Sequence, residues 1–227
     1  MTPEKNNVVE YYDTIAKDYD NSRFNNSYGQ FIDYQERRVL DRLIPVTDQS
    51  LRLEIACGTG RLTNYATHAL DASTEMMGLA QKRHSEVEFK HASATDTGYS
   101  DDTFDVVYAF HLMMHLDEAT IQQIIDEVYR ILKPGGRFIF DIPSKKRRNL
   151  LHHKQANWHG ATALDKKDIK NMIHEEYDLQ SVHGIMMLPV HKLPKSLRKP
   201  LQSIDYVTAN GWMKNYSSYL VFEIRKR

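Results

Sequence analysis

Apolar residues recur along the chain at two spacings, which together predict a fold in which strands alternate with helices. The clearest helix follows Asp117, a candidate N-cap, and its apolar positions follow the i, i+3, i+4, i+7 rule. We expect this helix to end at residues 133–136, because Pro134 cannot continue a helix and the two glycines after it permit a turn. Its apolar positions are Ile121, Ile124, Ile125, Val128, Ile131 and Leu132.

Short apolar runs on both sides of this helix predict the strands of one sheet. The first strand is predicted at 51–56, and the second ends at Asp71. Further strands are predicted at 87–90, 104–110, 138–142, 180–188 and 217–225. Further helices are predicted at 61–67, 75–83 and 164–176, the last of them capped by Asp165. Alternation of strands and helices of these lengths is typical of a parallel, doubly wound α/β sheet. The last two strands have no clear helical crossover between them.

The two ends of the chain depart from this pattern. Residues 1–45 are rich in Tyr, Asp and Asn and space their apolar positions as helices do. The segment 192–203 carries Pro194, Pro200 and several basic residues, and it is predicted to be irregular. A chain of 227 residues predicts one domain with additional covering segments.

Composition narrows the class of protein. Lys and Arg together number 30, as do Asp and Glu, so no overall charge attracts nucleic acid or a membrane. No apolar run approaches the roughly 20 residues that a membrane helix needs, and the first residues lack the apolar centre of a signal peptide. The single cysteine, Cys57, excludes an internal disulfide framework and is expected to fill space in a turn. A cytoplasmic location is the expectation.

A glycine-rich turn is the most informative feature of the sequence. Residues 53–61 predict a buried strand that breaks at Gly58 and Gly60 and opens a helix. Backbone N–H groups and the positive end of that helix can then approach a nucleoside-type cofactor closely. Many α/β folds use such a turn, so its weight comes from three further segments that follow in order. They are 69–73, 104–107 and 132–136.

This ordered set resembles the class I S-adenosylmethionine (SAM)-dependent methyltransferases, in the type 11-like branch that acts largely on small molecules. The resemblance runs from about Glu54 to Phe140. It implies a Rossmann-like, mostly parallel seven-stranded sheet with an antiparallel C-terminal strand pair and helices on both faces. Residues 1–48 would form an N-terminal helical cover, 49–142 the SAM-binding core, and 143–227 the acceptor-side segments and last strands.

The resemblance also implies a site for SAM. Glu54 would help to hold the amino end of the cofactor, Asp71 its two ribose hydroxyls, and Ser93 its adenine amino group. A carboxylate suits the ribose because its two oxygens can accept two O–H donors at once. Asp71 could also cap the helix that begins near Ser73. The other residues assigned to the cofactor site are Ala56, Gly58, Gly60, Ala72, Met76, Ala94 and Phe110.

Three positions depart from the family pattern. Ala56 stands where the usual loop has its first glycine, and Ser93 stands where an aspartate is common. Gly58 and Asp71 are 71 − 58 = 13 positions apart, against roughly 20 in the related dinucleotide fingerprint. Either the first helix and second strand are unusually short, or residues are absent from the sequence.

The acceptor side of the site is predicted at the end of the fourth strand. His111 and His115 follow that strand and would lie beside the methyl group of SAM, where a base could activate a hydroxyl acceptor. His115 is at least as readily a structural histidine as a base, and His111 is the better candidate for a contact with the acceptor. The two are four residues apart, but no third ligand accompanies them, so no metal site is predicted.

Aromatic residues complete the predicted acceptor site. Tyr12 and Tyr19 lie in a run that resembles the covering helix of small-molecule methyltransferases, with Tyr19 as a catalytic and Tyr12 as a substrate-binding candidate. Both could equally be the packed face of a helix. Trp158 lies where the family often builds its acceptor pocket. Methyl transfer from a sulfonium is a direct displacement, so positioning and exclusion of water can supply most of the acceleration.

These features predict a methyltransferase that acts on an oxygen or nitrogen of a small molecule, as a monomer or homodimer. An RNA methyltransferase and a non-catalytic SAM-fold partner subunit are the alternatives, and a nicotinamide-binding oxidoreductase would want glycine in place of Thr63. Two basic runs, 145–148 and 192–199, are ordinarily solvated surface. They could instead attract an anionic acceptor, lipid headgroups or RNA phosphate, and the zero net charge disfavours RNA.

Overall fold

A computed structural model describes residues 5–44, 49–152 and 160–227 of the chain, so the predicted substrate residue Trp158 lies outside it. The helices are α1 (Lys5–Ile15), α2 (Tyr19–Arg23), α3 (Ser27–Leu43), α4 (Thr74–Arg83), α5 (Glu118–Ile131), α6 (Lys145–Leu150), α7 (Lys166–Met172) and α8 (Lys195–Ala209). The strands are β1 (Arg52–Ile55), β2 (His68–Asp71), β3 (Glu88–His91), β4 (Phe104–Ala109), β5 (Leu132–Pro143), β6 (Tyr177–Ile185) and β7 (Tyr219–Lys226).

The seven strands form one sheet in the order β3-β2-β1-β4-β5-β7-β6. The first five strands pair in parallel, and β7 runs antiparallel to both of its neighbours. The predicted α/β sheet with an antiparallel C-terminal pair is therefore confirmed. The chain order reverses at β1, which lies between β2 and β4, and ligands of open α/β sheets bind outside the carboxyl ends of the strands at such a point.

The α5 helix covers one face of the sheet as its sequence pattern predicts. Asp117 is the N-cap, and its side chain accepts a hydrogen bond from the Thr120 N–H at 2.7 Å. The apolar stripe of the helix is fully buried, with Ile121 and Val128 at 0% exposure. Each of these side chains contributes roughly 1.5–3 kcal/mol through removal from water.

The opposite face is covered by α3, which occupies the space left by an abbreviated first crossover. Between β1 and β2 the chain forms only a 3₁₀ turn, Thr63–Tyr65, so the predicted helix at 61–67 is wrong. The interval of 13 positions is accommodated because β1 and β2 pair directly across this short turn. Tyr65 donates a hydrogen bond to Asp41 of α3 at 2.6 Å, which joins the turn to the helix.

Two predictions near the C-terminal end need correction. The segment 192–203, predicted to be irregular, belongs largely to α8, which keeps Pro200 inside the helix. Packing on α3 supports α8 through several contacts, among them a hydrogen bond of 3.0 Å between Tyr34 and Ser203. The predicted helix 164–176 is shorter, at Lys166–Met172, although Asp165 caps it as expected. No helix among the described residues is long and apolar enough to cross a membrane.

Candidate active site

A cavity lies at the carboxyl ends of β1, β2 and β4, beneath α1. Because parallel strands end at one edge of the sheet, residues far apart in sequence meet there. Val8, Val9 and Tyr12 of α1 form the outer wall. The predicted cofactor residues that line it are Ala56, Gly58, Asp71, Ala72, Met76, Ala94 and Phe110.

Asp71 joins the ends of β1 and β2 at the floor of this cavity. Its two carboxylate oxygens accept hydrogen bonds from the N–H groups of Gly58, at 2.7 Å, and Ser73, at 2.8 Å. Burial raises its pKa above the usual range, and the hydrogen bonds from Ser73 and Gly58 oppose that shift. Each oxygen retains lone-pair capacity, so the carboxylate can also accept the hydroxyls of a ribose. The cap of α4 is Ser73, not Asp71.

The turn after β1 uses left-handed backbone at a position where glycine is usual. Ala56, Gly58 and Gly60 have φ values of 56°, 55° and 84°. A Cβ added at Gly58 would meet nothing within 4 Å, so its backbone is open to the cavity. Gly60 instead faces α4, where a Cβ would meet Ala80 at 3.0 Å, and it does not line the cavity. Ala56 therefore carries backbone strain that glycine would not.

Two other predicted cofactor residues lie outside the main cavity wall. Glu54 is buried and accepts a hydrogen bond from Thr63, and it lines a smaller adjoining pocket together with Ala56. Burial raises the pKa of Glu54 to about 8, so its carboxyl is largely protonated at neutral pH. Ser93 is exposed and pairs its hydroxyl with that of Thr95 at 2.9 Å.

The covering helix α1 is fixed to the core beside the cavity. The Ser73 hydroxyl donates a hydrogen bond of 2.5 Å to Asp13 of α1, and the Glu75 N–H donates to the same carboxylate oxygen at 3.3 Å. Asp13 thus lies at the N-terminus of α4, where a negative charge is favourable. This contact holds Tyr12 over the cavity, as the predicted N-terminal cover requires.

His111 lies where the cofactor cavity meets a second pocket, between two buried carboxylates. Its Nε2 is 2.6 Å from Glu36 Oε1, and its Nδ1 is 3.8 Å from Asp141 Oδ2. The backbone N–H of His111 also donates to Asp141 at 2.6 Å and holds the residue at a φ of 58°. Glu36 in turn pairs with Arg61 at 2.7 Å. We call Glu36, Arg61, His111 and Asp141 the buried charge network.

The network favours the positively charged form of His111. Burial lowers the pKa of His111, but Glu36 and Asp141 outweigh that effect, so the pKa is raised. Burial would raise the pKa of Glu36, yet Arg61 and His111 hold it at about 2. Burial raises the pKa of Asp141 to about 6 against the opposing charge of His111. Both ring nitrogens of His111 therefore face carboxylates, which favours an orienting role over that of a free base.

Glu36, His111 and Asp141 also have the composition of a metal site. One ligand atom from each lies within 4.8 Å of the others. The guanidinium of Arg61 already neutralises Glu36, and a cation bound next to it would be repelled. We therefore assign the group to ion pairing rather than to metal binding.

Aromatic rings surround the second pocket, which we call the aromatic pocket. Tyr12 and Tyr19 meet at a centroid separation of 6.0 Å, Tyr19 and Phe24 at 5.9 Å, and Phe24 and His111 at 5.9 Å. Burial raises the pKa of Tyr12 and of Tyr19, so both phenols are neutral and can donate hydrogen bonds. The pocket is lined by Tyr12, Tyr19, Arg23, Phe24, Tyr28, Ile32, His111, Met114, His115 and Tyr219.

His115 forms part of both pockets and contacts the segment after α6. Its Nδ1 accepts a hydrogen bond of 3.2 Å from the Gly160 N–H, and its ring meets that of Tyr12 at 6.2 Å. This geometry fits the structural role that the sequence left open for His115. The two pockets share Tyr12, Tyr19, His111 and His115, which are the predicted acceptor-side residues within the described chain.

Sequence reasoning missed several residues of the site. Glu36 and Arg61 were not singled out because their significance depends on α3 crossing the turn after β1. Asp141 had a usable signal, since it is a carboxylate inside the apolar strand predicted at 138–142. Phe24, Tyr28 and Tyr219 come from three elements that only the fold brings together.

Comparison with known proteins agrees with this geometry. Residues 53–140 match a methyltransferase domain family. The fold matches a *Thermotoga maritima* SAM-dependent methyltransferase, described as a possible histamine N-methyltransferase, with a TM-score of 0.71, 17% identity and coverage of 95% of this chain and 98% of that one. An uncharacterized protein of *Methanocaldococcus jannaschii* is 24% identical over 98% of this chain and 92% of its own length.

A demethylmenaquinone methyltransferase of *Symbiobacterium thermophilum* is 31% identical over 58% of this chain. The chain spans 57% of that enzyme's length, so the enzyme's acceptor is relevant here only to a proposal. The sheet, the cofactor cavity and these similarities together define a class: the chain contains a SAM-dependent methyltransferase domain, matched at residues 53–140. The predicted family, enzyme class and SAM cofactor are confirmed.

Proposed function

We propose that this chain transfers a methyl group from SAM to an oxygen or nitrogen of a small aromatic acceptor bound in the aromatic pocket. The observation that carries the proposal is the junction of the two pockets at His111. A cofactor in the main cavity and a ring in the aromatic pocket would meet there. Flat aromatic acceptors suit edge-to-face packing against such walls.

The charges of the aromatic pocket favour an acidic oxygen as the nucleophile. His111 and Arg23 are the cationic groups of its lining, and no carboxylate is among the described residues of that lining. An acceptor that binds as a phenolate or carboxylate needs no general base, whereas a protonated amine would meet like charge. Tyr12 and Tyr19 can orient the acceptor by donating hydrogen bonds.

SAM supplies an electrophilic methyl group, and the residues of the chain supply position and a dry environment. Gly58, Asp71 and Met76 would hold the cofactor, and α1 would close over it. His111 would fix the acceptor beside the methyl group, through its charge and its ring. Holding two reactants in line can contribute roughly 7–11 kcal/mol to lowering a barrier.

A ring carbon is the second candidate for the methylated atom. It is favoured by the similarity to a demethylmenaquinone methyltransferase and to an enzyme named a ubiquinone/menaquinone biosynthesis C-methyltransferase in *Geotalea daltonii*, which is 28% identical over 61% of this chain. A phenolate carries negative charge on its oxygen and on the ortho and para carbons of its ring, so one pocket could serve either outcome.

The test is incubation with SAM labelled in its methyl carbon. Cell metabolites, purified RNA and a panel of phenols, quinols and amines are offered as acceptors, and mass spectrometry and carbon NMR locate the label. We expect label on the oxygen of an acidic aromatic compound. Label on a ring carbon would select the second candidate, and label found only in tRNA or rRNA would contradict the proposal.

A charge variant makes the same assay more specific. Arg23→Gln should raise the KM of acidic acceptors about fivefold, the equivalent of about 1 kcal/mol for an exposed charge. Arg38→Gln is the matched control, because Arg38 lies over the Tyr206 ring at 5.4 Å, between α3 and α8. It should leave KM unchanged.

A further inference from the structure

Exposed apolar side chains are concentrated on one part of the molecule. Eight of the nine large apolar residues that are exposed in the described chain lie in two segments, 150–151 and 197–216, and the ninth is Leu51. Trp212 is 92% exposed, the highest value among them. Together with the lysines and arginines of the same region, these eight residues form what we call the apolar–basic surface. The eight are Leu150, Leu151, Leu197, Ile204, Val207, Trp212, Met213 and Tyr216.

The outer side of α8 supplies an apolar stripe. Leu197, Ile204 and Val207 are spaced by seven and three residues, which places them on one helix face, and each is about half exposed or more. The inner side is already occupied, because Asp205 and Ala209 are buried toward α3 and β6. The outer stripe therefore contributes little to packing among the described residues.

The two segments form one continuous region. The Ser144 hydroxyl donates to the Asn215 carbonyl, and Arg147 at α6 donates to the Tyr216 carbonyl at 2.8 Å. The turn that carries Trp212 continues directly from α8, with the Gly211 N–H bonded to the Thr208 carbonyl at 3.2 Å. The first turn of α6, the Trp212 turn and the C-terminal end of α8 thus adjoin one another.

Lysine and arginine outnumber the acids of this region, although Lys145 is paired with Asp168 of α7 at 2.9 Å. Within 145–152 and 186–216, which are both fully described, the only carboxylate is Asp205, and it is buried and bonded to Gln35 at 2.5 Å. The same two segments contain nine Lys and Arg residues, although the overall net charge is zero. They are Lys145, Lys146, Arg147, Arg148, Lys192, Lys195, Arg198, Lys199 and Lys214.

We propose that the apolar–basic surface docks peripherally on a lipid bilayer that contains anionic headgroups. Charge complementarity selects this occupant, since lysines attract anionic lipid while Trp212 and the aliphatic stripe enter the headgroup boundary. A protein partner would have to match this excess of cations with acids of its own. Tyr28, which lines the aromatic pocket, lies near Arg147 and Arg198, so the docked face adjoins the proposed acceptor site.

The test uses vesicles of phosphatidylcholine with and without phosphatidylserine, at low and high salt. The protein has two tryptophans, so Trp158→Phe leaves Trp212 as the only tryptophan reporter. We expect co-sedimentation with the anionic vesicles, a blue shift of Trp212 emission, and loss of both at high salt. Lys195→Glu/Lys199→Glu should weaken binding by about fivefold or more for each lysine.

A double substitution distinguishes vesicle binding through this surface from nonspecific binding. Val207→Ser/Trp212→Ser should weaken vesicle binding by about tenfold or more. Leu51→Ser, at the one exposed large apolar residue of the described chain that lies outside the surface, should not change it. Absence of binding to anionic vesicles at low salt would overturn the proposal. A concentration-dependent dimer that Val207→Ser/Trp212→Ser abolishes, without vesicle binding, would also overturn it and would assign the surface to a second copy of the chain.

Discussion

His111→Ala should lower the free energy of unfolding by about 3 kcal/mol at neutral pH. His111 lies 2.6 Å from Glu36 and 3.8 Å from Asp141, whose side chains are 1% and 2% exposed. Without the imidazolium, Asp141 loses its nearest compensating charge and keeps only the smaller effect of Arg61. Arg61 still compensates Glu36, so we expect the lower end of the range for a broken buried pair. Urea unfolding of both proteins measures the difference.

The stability difference should depend on pH. Because the pKa of His111 is raised in the folded protein, its stabilisation is present below its unfolded value of about 6.5 and is lost as pH rises through the folded value. Asp141 has a folded pKa of about 6, above its unfolded value, so its burial costs most once pH exceeds that value. The difference should therefore be largest between about pH 6, where Asp141 ionises, and the raised folded pKa of His111, and smaller on either side of that window.

Two further variants control for other causes of instability. His174→Ala removes a histidine that pairs with Asp126 at 3.0 Å on the surface, and it should cost less than about 1 kcal/mol. His111→Asn removes the imidazole but keeps a residue that tolerates the left-handed backbone, so it should resemble His111→Ala. Equal losses in His111→Ala and His174→Ala, or a loss that does not vary with pH, would contradict the charge network.

The same variants report on the proposed role of His111 in turnover. We expect SAM affinity to be nearly unchanged and turnover to fall by about tenfold, because His111 orients the acceptor. If His111 instead acted as a general base, its removal would lower turnover by about 10²-fold or more. Unimpaired turnover in a folded His111→Asn protein would show that His111 has only a structural role.

Asp71→Asn should weaken SAM binding by about 1–3 kcal/mol, the range for the loss of a charged hydrogen-bond partner. The amide keeps one acceptor oxygen but places an NH₂ group against an N–H of Gly58 or Ser73. It can no longer accept both ribose hydroxyls and hold the turn as well. Isothermal titration calorimetry measures the affinity, and thermal unfolding without SAM measures any loss of stability.

Asp165→Asn is the matched control for this effect. Asp165 also accepts hydrogen bonds from two backbone N–H groups, those of Lys167 and Asp168, but it caps α7 and does not line the cofactor cavity. The control should leave SAM affinity unchanged. Equal SAM affinity in the wild type and Asp71→Asn would show that the short interval after Gly58 has moved the carboxylate away from the ribose.

Much of the core follows from local sequence rules. The α5 helix is predictable because its cap, stripe and terminator agree, and the antiparallel strand pair follows from the absence of a crossover. The turn after β1 is not predictable in the same way, since α3 covers the sheet at the place where a helix between β1 and β2 usually lies. The α8 helix is not predicted from the sequence because Pro194 and Pro200 disfavour a helix locally. The residues of α3 that pack on it lie far away in the sequence.

The candidate site likewise contains residues that can be predicted from the sequence and residues that cannot. Residues next to strand ends, such as Gly58, Asp71 and Phe110, are predictable because the sheet fixes where strands end. The role of His111 depends on Glu36, which comes from a helix 75 positions earlier and meets it only in the fold. Sequence can identify a histidine at the methyl side, but it cannot reveal that both ring nitrogens face carboxylates.

A crystal structure with S-adenosylhomocysteine, the demethylated product of SAM, tests the central claim most directly. The claim is that the cofactor occupies the cavity beneath α1 and faces the aromatic pocket at His111. We predict ribose hydroxyls within hydrogen-bonding distance of Asp71 and a thioether sulfur directed toward Tyr19 and His111. A product bound outside this cavity, or with its sulfur directed away from the aromatic pocket, would contradict the account.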